Sequence, residues 1–340
     1  MSDSIAMIHG SGGAATGELI HEVFASAFNN TVLDAMEDAA VIGMADLTQK
    51  SSGDHKLAVT TDSFVVDPVE FRGGDIGRLA VCGTVNDLLM RGAVPRYITS
   101  AWILETGVDI GLLKRVVASM AKTAAEAGVT VICGDTKVIE GRGGIYVNTT
   151  GVGYVPTGVD ISAANAKPDD VIIVSGTMGD HHAAILSERM SIDTDIRSDV
   201  APLTQMCDGL RKLRVHVMRD VTRGGLGTVL KELAVASGVV FEIEDKLIPV
   251  SDKVREFSGL LGLDPMYMGN EGKLVCIVDQ NDADKALKAI KGSKYGADAA
   301  VIGKVRKAGE DKPGTLYVKT AIGGLRELDV LQGEGLPRIC

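Results

Sequence analysis

The chain switches repeatedly between β-branched apolar runs and runs whose apolar residues recur at helical spacing. "LAVTTDSFVV" (57–66) is β-branched and predicts a strand. "GDIGRLAVCGTVNDLLMRG" (74–92) carries apolar residues at 76, 79, 80, 81, 85, 88, 89 and 90, a density that suits a helix buried on most of its faces. "RYITSAWIL" (96–104) predicts a strand. "DIGLLKRVVASMAKTAAEAG" (109–128) predicts an amphipathic helix with Asp109 as N-cap and Gly128 as its stop. "VTVIC" (129–133) and "GIYVNTTGVGYV" (144–155) read as strands. "PTGVDISAANAKPDD" (156–170) has two prolines and little periodicity, and predicts a domain boundary. A second alternating set follows, with strands at 171–176, 239–244, 274–279, 299–305 and 315–319. Its helices fall near 180–190, 200–213, 222–237, 250–261 and 283–291.

This order predicts an α/β (α+β) chain in two halves, 1–155 and 156–332, followed by a flexible tail at 333–340. Several strands are neighbours in sequence, so antiparallel pairing is expected rather than a purely parallel doubly wound sheet. A length of 340 residues agrees with two cores. Apolar residues make up 45% and aromatics only 4%, so the cores must be aliphatic. Forty-one glycines, with no low-complexity pattern, point to tight turns and close backbone approaches.

A net charge of −10 with no dense Lys/Arg block argues against nucleic acid and for a cytoplasmic protein. No apolar run approaches the length of a membrane span or signal sequence. The five cysteines form no CxxC and are odd in number, against a disulfide framework or a Cys-rich zinc site. Cys82, Cys133 and Cys276 lie in apolar stretches and read as small hydrophobes. Cys340 lacks such surroundings and ends the run "GLPRIC".

The candidate chemistry is acidic and glycine-rich. "HGSGG" (His9, Gly10, Ser11, Gly12, Gly13) precedes a helical pattern at 16–28. It reads either as an anion-binding loop or as a plain N-terminal segment. No Walker A or GxGxxG pattern occurs, so any nucleotide site here is not a P-loop. Asp38, Asp62, Asp87 (beside Asn86) and Asp135 sit within or at the ends of apolar elements. Carboxylates so placed need cations, either Lys/Arg or a hard divalent metal holding phosphates. Lys137, two residues after Asp135, is an ion-pair partner, a phosphate clamp or a proton-transfer group. "RDVTRGGL" (219–226) offers Thr222 as N-cap and sets Arg223, Gly224 and Gly225 in a first turn, where something approaches the backbone closely. Glu271, between glycines in "GNEGKL", suits an accessible general base or a simple turn.

Together, "HGSGG", "TTDSFVVDPVEFRGGDIGRLAVCGTVNDLLMRGAVPRY", "CGDTKV", "VSGTMGDHHAAI", "RDVTRGGL", "NEGKL" and the closing "PRIC" resemble the HypE family of nickel–iron hydrogenase maturation factors. That family lies within the PurM-like (AIR synthase-related) superfamily. The matches run in order along the whole chain, and "PRIC" is the most specific of them. One departure is "GDHH" where the family pattern has "GDHG", so His182 replaces a glycine. The resemblance implies a PurM-like N-terminal mixed sheet with helices that binds ATP and dimerises, a C-terminal α/β domain, and a mobile catalytic tail. It implies ATP-dependent dehydration of a thiocarboxamide on Cys340 to a thiocyanate that supplies cyanide to iron. The implied partners are a HypF-type carbamoyltransferase, the HypC–HypD complex and a second copy of the chain. It assigns Lys137 and Glu271 as bases, with Lys137 alternatively a charge partner of Glu271, and Arg223 to the transferred phosphoryl. Mg2+ falls to Asp38, Asp62, Asp87 and Asp135, with Asn86 nearby, and the nucleotide to the His9–Gly13 loop. Two alternatives are another PurM-like enzyme acting on a free small substrate, such as a selenophosphate synthetase or kinase-like relative, and a non-catalytic scaffold.

Overall fold

The computed structural model describes residues 4–6, 19–30, 55–309, 311–331, 336 and 338–340. The chain divides into two compact units. The first comprises Met1–Leu88, Ala93–Thr157 and Arg338–Cys340, and the second Leu89–Gly92 and Gly158–Pro337.

In the first unit a helical segment covers Ile20–Ala25 and Ser26–Phe28. It precedes strand β1 (Lys56–Phe64), a two-residue ribbon of β2 (Glu70–Phe71) and β3 (Gly74–Asp75), and helix α1 (Ile76–Met90). Then come β4 (Val94–Glu105), α2 (Ile110–Ala127), β5 (Thr130–Ile139) and β6 (Ile145–Val155). The four long strands form a sheet in the order β1-β6-β4-β5. The β4–β5 pair is parallel, as its α2 crossover allows, and the others are antiparallel. Asp109 caps α2 through Leu112 N–H (2.6 Å), and Gly128 ends it at φ 75°, a conformation that suits glycine.

The two faces of this sheet differ. Ser100, Trp102, Val147 and Thr149 are buried under the helices. Ser100 Oγ lies 3.6 Å from Met120 Sδ of α2, Trp102 packs on Phe24 with ring centroids 5.5 Å apart, and Thr84 of α1 hydrogen-bonds Thr149. The opposite face leaves Leu57 61%, Val59 59%, Ile103 44% and Ile139 43% exposed. Strand alternation sends these four the same way, so an aliphatic stripe lies open.

The second unit holds β7 (Val171–Val174), α3 (Asp180–Arg189), α4 (Thr204–Leu210), β8 (Val215–Asp220), α5 (Gly225–Ser237) and β9 (Val240–Glu244). It continues with α6 (Asp252–Leu261), β10 (Leu274–Val278), α7 (Ala283–Lys291), β11 (Ala300–Arg306), β12 (Leu316–Lys319) and β13 (Leu325–Leu328). Its strands form one sheet, β13-β12-β9-β11-β7-β10-β8, with β9–β12 as the parallel pair. All five residues of β10 are buried, which explains an apolar run without alternation. Leu226, Leu230 and Leu233 of α5 join Ile172, Val275 and Ile277 in the main core. A smaller cluster joins Ala183 and Ala184 to Val254, Phe257 and Met268. Among the described residues, no helix is long and apolar enough to cross a membrane.

Several elements differ from the pattern reading, which held no strand at β8, β13 or the β2–β3 ribbon. The strand expected at 129–133 continues to Ile139, and the 200–213 helix shortens to Thr204–Leu210. β5 continues because it has a full parallel partner in β4. At Gly134 a Cβ would lie 2.3 Å from Ser100 O, so only glycine permits that approach.

Candidate active site

Strand register sorts the acidic residues of the first unit. Asp62 pairs across the ladder with Thr149, and Thr149 with Ser100, so Asp62 lies on the helix-covered face. Thr60, on the same face, donates from Oγ1 to Asp87 Oδ2 at 2.9 Å. Asp62 Oδ2 lies 3.7 Å from where a Cβ on Gly83 would stand. Gly83 and Asp87 are one α1 turn apart, so Asp62 and Asp87 approach the same stretch of α1. Asn86, beside them in sequence, is 2% exposed.

Asp135 is elsewhere. It pairs with Ala101, which pairs with Asn148, one register step from Thr149, so it projects from the opposite, open face. There its Oδ1 accepts from Lys137 Nζ at 2.8 Å and from Thr136 N–H at 2.9 Å. The Lys137 hydrogen bond is the main reason its carboxyl sits below the usual carboxylate range. The carboxylate set expected to share one metal site is therefore corrected within this chain. Alternation along β5 and β1 puts Asp135 across the sheet from Asp62, and Asp135 already has a cation in Lys137. Asp38 and the His9–Gly13 loop lie outside the described residues. Among the described residues, no group of three or more His, Cys, Asp or Glu side chains converges to hold a metal. Asp62 and Asp87 still supply two hard oxygen donors on one face. That fits Mg2+, which takes one or two carboxylates and fills the rest of its shell with water and phosphate oxygens.

In the second unit, Glu271 follows Asn270, whose side chain is fully buried. Asn270 Oδ1 accepts from Gly179 N–H (2.8 Å), and its own N–H donates to Val221 O (2.9 Å). The Glu271 N–H donates to Asp199 Oδ1 at 3.0 Å, and Lys273 Nζ stands 3.6 Å from Asp199 Oδ2. Asp199 thus ties Glu271 to Lys273. Glu271 itself is 5% exposed, so the accessible carboxylate expected from its glycine neighbours is corrected. Gly272, the next residue, is pressed against Asp199 O. Asp180 lies in the same polar group. Burial, then the charge of Asp199, pushes its carboxyl above the ordinary value. Asp199 was missed because it lies in no motif, and Lys273 and Asp180, inside "NEGKL" and "GDHH", were passed over because neither motif shows that Asp199 is their neighbour.

Arg223 is exposed, and the turn around it differs from expectation. The N-cap of α5 is Gly224 at φ 84°, not Thr222, whose carbonyl instead accepts from Gly225 N–H at 3.0 Å. A Cβ on Gly225 would lie 2.6 Å from Met266 O and 2.7 Å from Tyr267 Cα. The close approach inferred from the glycine pair is thus made by the chain's own Pro265–Tyr267 turn. His182, the departure from the "GDHG" pattern, is an ordinary helical residue of α3. The left-handed position is Gly179 at φ 88°. Burial lowers the His182 imidazole to about 4, so it is neutral at physiological pH.

Cys82, Cys207 and Cys276 are buried, whereas Cys133 and Cys340 are half-buried. Burial pushes the Cys207 thiol up to about 12 and moves Cys276 in the same direction. Arg338 and Cys340 bracket Ile339, which is 5% exposed. Arg338 meets Asp67 of the first unit.

Two α/β units, each with a mixed sheet, and a paired-carboxylate face on α1 define an AIR synthase-related protein. The N-terminal-domain model of that group matches residues 36–155, and the C-terminal-domain model matches residues 167–314. The chain belongs to the HypE family within it. It is 46% identical, over 345 aligned positions, to carbamoyl dehydratase HypE of Cupriavidus necator, covering 100% of this chain and 95% of that protein. A solved structure of hydrogenase maturation protein HypE in complex with ATP superposes with a TM-score of 0.92 at 44% identity, covering 98% of this chain and 99% of that one. A HypE–HypF complex gives 0.78 at 42% identity, covering 94% and 100%.

Proposed function

We propose that this chain is an ATP-dependent carbamoyl dehydratase whose substrate is a thiocarboxamide on its own Cys340. The supporting observation is the full-length likeness to carbamoyl dehydratase HypE, in a chain whose last residue is a half-buried cysteine. In this reading a carbamoyl group arrives from a HypF-type carbamoyltransferase, a partner supported by the HypE–HypF complex of a relative. The HypC–HypD complex receives the product cyanide on iron. The setting is the cytoplasm.

ATP supplies the phosphoryl group that turns the amide oxygen into a leaving group, so the C–O bond breaks with that oxygen departing in phosphate. Two protons must leave the amide nitrogen as the C≡N bond forms. The chain's own groups then have distinct tasks. Asp62 and Asp87, with Asn86 beside them, would hold Mg2+, which would neutralise charge on the nucleotide phosphates. The His9–Gly13 loop takes the nucleotide phosphates, and Arg223 stabilises the charge on the transferred phosphoryl group. Glu271 is the first base, held by its backbone N–H on Asp199. Lys137, which donates to Asp135, acts on the open face as a cationic clamp. The open aliphatic stripe of Leu57, Val59, Ile103 and Ile139 is the homodimer surface. Leaving it in water forgoes on the order of 1 kcal/mol or more per side chain.

The test is the intact mass of the protein after incubation with a HypF-type carbamoyltransferase, carbamoyl phosphate and ATP. A carbamoyl adduct on Cys340 should form and then lose the mass of water, and Cys340→Ala should show neither change. Turnover of a free small substrate by Cys340→Ala would point to a different PurM-like activity. No ATP turnover in either protein would point to a scaffold.

A further inference from the structure

The carrier reading leaves open what the tail does when it is not being loaded. We propose that Asp67 is a positioning residue that seats the Arg338–Cys340 tail on the first unit and so sets where the Cys340 thiol waits between loading and dehydration. This rests on the carrier role proposed above.

Asp67 grips Arg338 twice. Its backbone N–H donates to Arg338 O at 3.1 Å, and its carboxylate oxygen lies 3.5 Å from Arg338 Nη1. Arg338 adopts φ 52°, in the left-handed region that side-chain-bearing residues seldom occupy. A freely trailing segment has no reason to hold that conformation, so the contacts with Asp67 select it. The next residue, Ile339, is 5% exposed, and an aliphatic side chain buried beside the arginine gives the tail an apolar anchor as well as a polar one.

Glu105 is built as a fixed second carboxylate. It accepts from Arg142 N–H (2.7 Å), Gly144 N–H (2.9 Å) and Tyr146 Oη–H (2.8 Å). At Gly141 a Cβ would lie 2.2 Å from Glu105 Cδ, and at Gly144 2.9 Å, so a side chain at either position would displace this carboxylate. Those three donors pull its carboxyl down, and the Arg338 charge adds to them; the same charge is felt at Tyr146. The guanidinium pairs with Asp67, and its charge also reaches Glu105 and Tyr146. Register ties this seat to the proposed chemistry. Ile103 pairs with Lys137 and Glu105 with Ile139, so Glu105 falls on the Lys137 face of the sheet. The two positions are about 7 Å apart along the strand.

The experiment is the alkylation rate of Cys340 in the full-length protein by N-ethylmaleimide, resolved by mass spectrometry of the C-terminal peptide. Cys82, Cys207 and Cys276 are buried and serve as controls for an intact fold. The Arg338 and Asp67 side chains are 50% and 53% exposed, so their pair is a modest one. Asp67→Asn should raise the Cys340 rate by about 2- to 5-fold. Ile339→Ala should raise it on the order of tenfold. Arg338→Gln should match Asp67→Asn, the two together should add nothing further, and the swapped pair Asp67→Arg with Arg338→Asp should bring the rate back towards wild type. Unchanged rates in Asp67→Asn and Arg338→Gln would overturn the proposal, as would effects that multiply in the double variant. If Asp67→Asn exposes the control cysteines, Arg338→Gln decides alone, because it alters only the tail. The assay uses neither ATP nor a carbamoyl donor. A tail that docks but never carries a carbamoyl group would refute the dehydratase reading and leave the seat standing, and the converse result would do the reverse.

Discussion

Replacing Asp199 with alanine strikes two buried groups of the second unit at once. Its side chain is 4% exposed and that of Lys273 is 11% exposed, with Nζ and Oδ2 3.6 Å apart. Its other oxygen accepts the Glu271 N–H at 3.0 Å. Removing one partner of a buried ion pair strands the other charge at a cost of about 3–5 kcal/mol. The lost acceptor for the Glu271 amide adds about 1 kcal/mol. For a domain of this size each kcal/mol lowers the midpoint by roughly 2–4 °C, so Asp199→Ala should shift the transition of the second unit by about 10 °C or more. Calorimetry reads this directly. Asp199→Asn keeps an acceptor for Glu271 and should isolate the charge effect. Asp199→Ala with Lys273→Met removes the stranded ammonium and should recover most of the loss. Asp180 gives an independent signal: freed from the Asp199 charge, its raised carboxyl should titrate lower, measured by carboxyl NMR. A midpoint change of less than about 3 °C in Asp199→Ala, or a double variant no more stable than the single one, would refute the reasoning.

Deleting Gly333–Gly335 shortens the tail and should abolish loss of water from the Cys340 adduct while sparing ATP binding; dehydration at the normal rate in this deletion would show that a tail of this length is not needed to bring Cys340 to the site. Val59→Lys puts a charge in the open aliphatic stripe and should convert a dimer to monomer in sedimentation, and an unchanged dimer would reassign that face. Asp282 is drawn down to about 2, first by Lys285 and then by the backbone and side-chain N–H groups of Arg214. Because its folded value lies below the unfolded one, the stability it contributes is present above about pH 4 and is lost as pH falls towards about 2. Asp282→Asn should therefore flatten the acid limb of stability measured by urea denaturation, and an identical slope would show that the pair is idle.

Much of the architecture is legible in the sequence, for local reasons. Helix α2 is bounded by Asp109 and Gly128 because an N-cap and a left-handed stop are properties of single residues. The antiparallel character is present, but not between the sequence neighbours that suggested it: β1–β6, β4–β6, β7–β10 and β9–β11 join strands distant in sequence, whereas the neighbours β4 and β5 pair in parallel. β13 escaped notice because Leu325–Leu328 has an exposed, charged pattern and gains its strand character only from β12. The helix expected at 200–213 was overextended because apolar spacing does not mark where the chain turns away.

The site divides differently. That Asp62, Asp87, Asp135, Lys137, Glu271 and Cys340 are the residues to inspect is written in motifs, since carboxylates in apolar elements and a cysteine at the chain's last position stand out one residue at a time. Their grouping is not written there. A one-step difference in strand parity sends Asp135 to the open face and Asp62 to the covered one, and parity across four strands exists only once the ladder is registered. The Gly224–Gly225 pair announces a close approach, but only the fold says that its own Pro265–Tyr267 turn makes it. The sequence by itself determined the elements, the two-unit order and the reactive residue types, because these depend on near neighbours. Tertiary structure alone decided that Asp199 holds Glu271 and that Asp67 receives Arg338, because those contacts join residues 72 and 271 positions apart by count and depend on how distant segments pack.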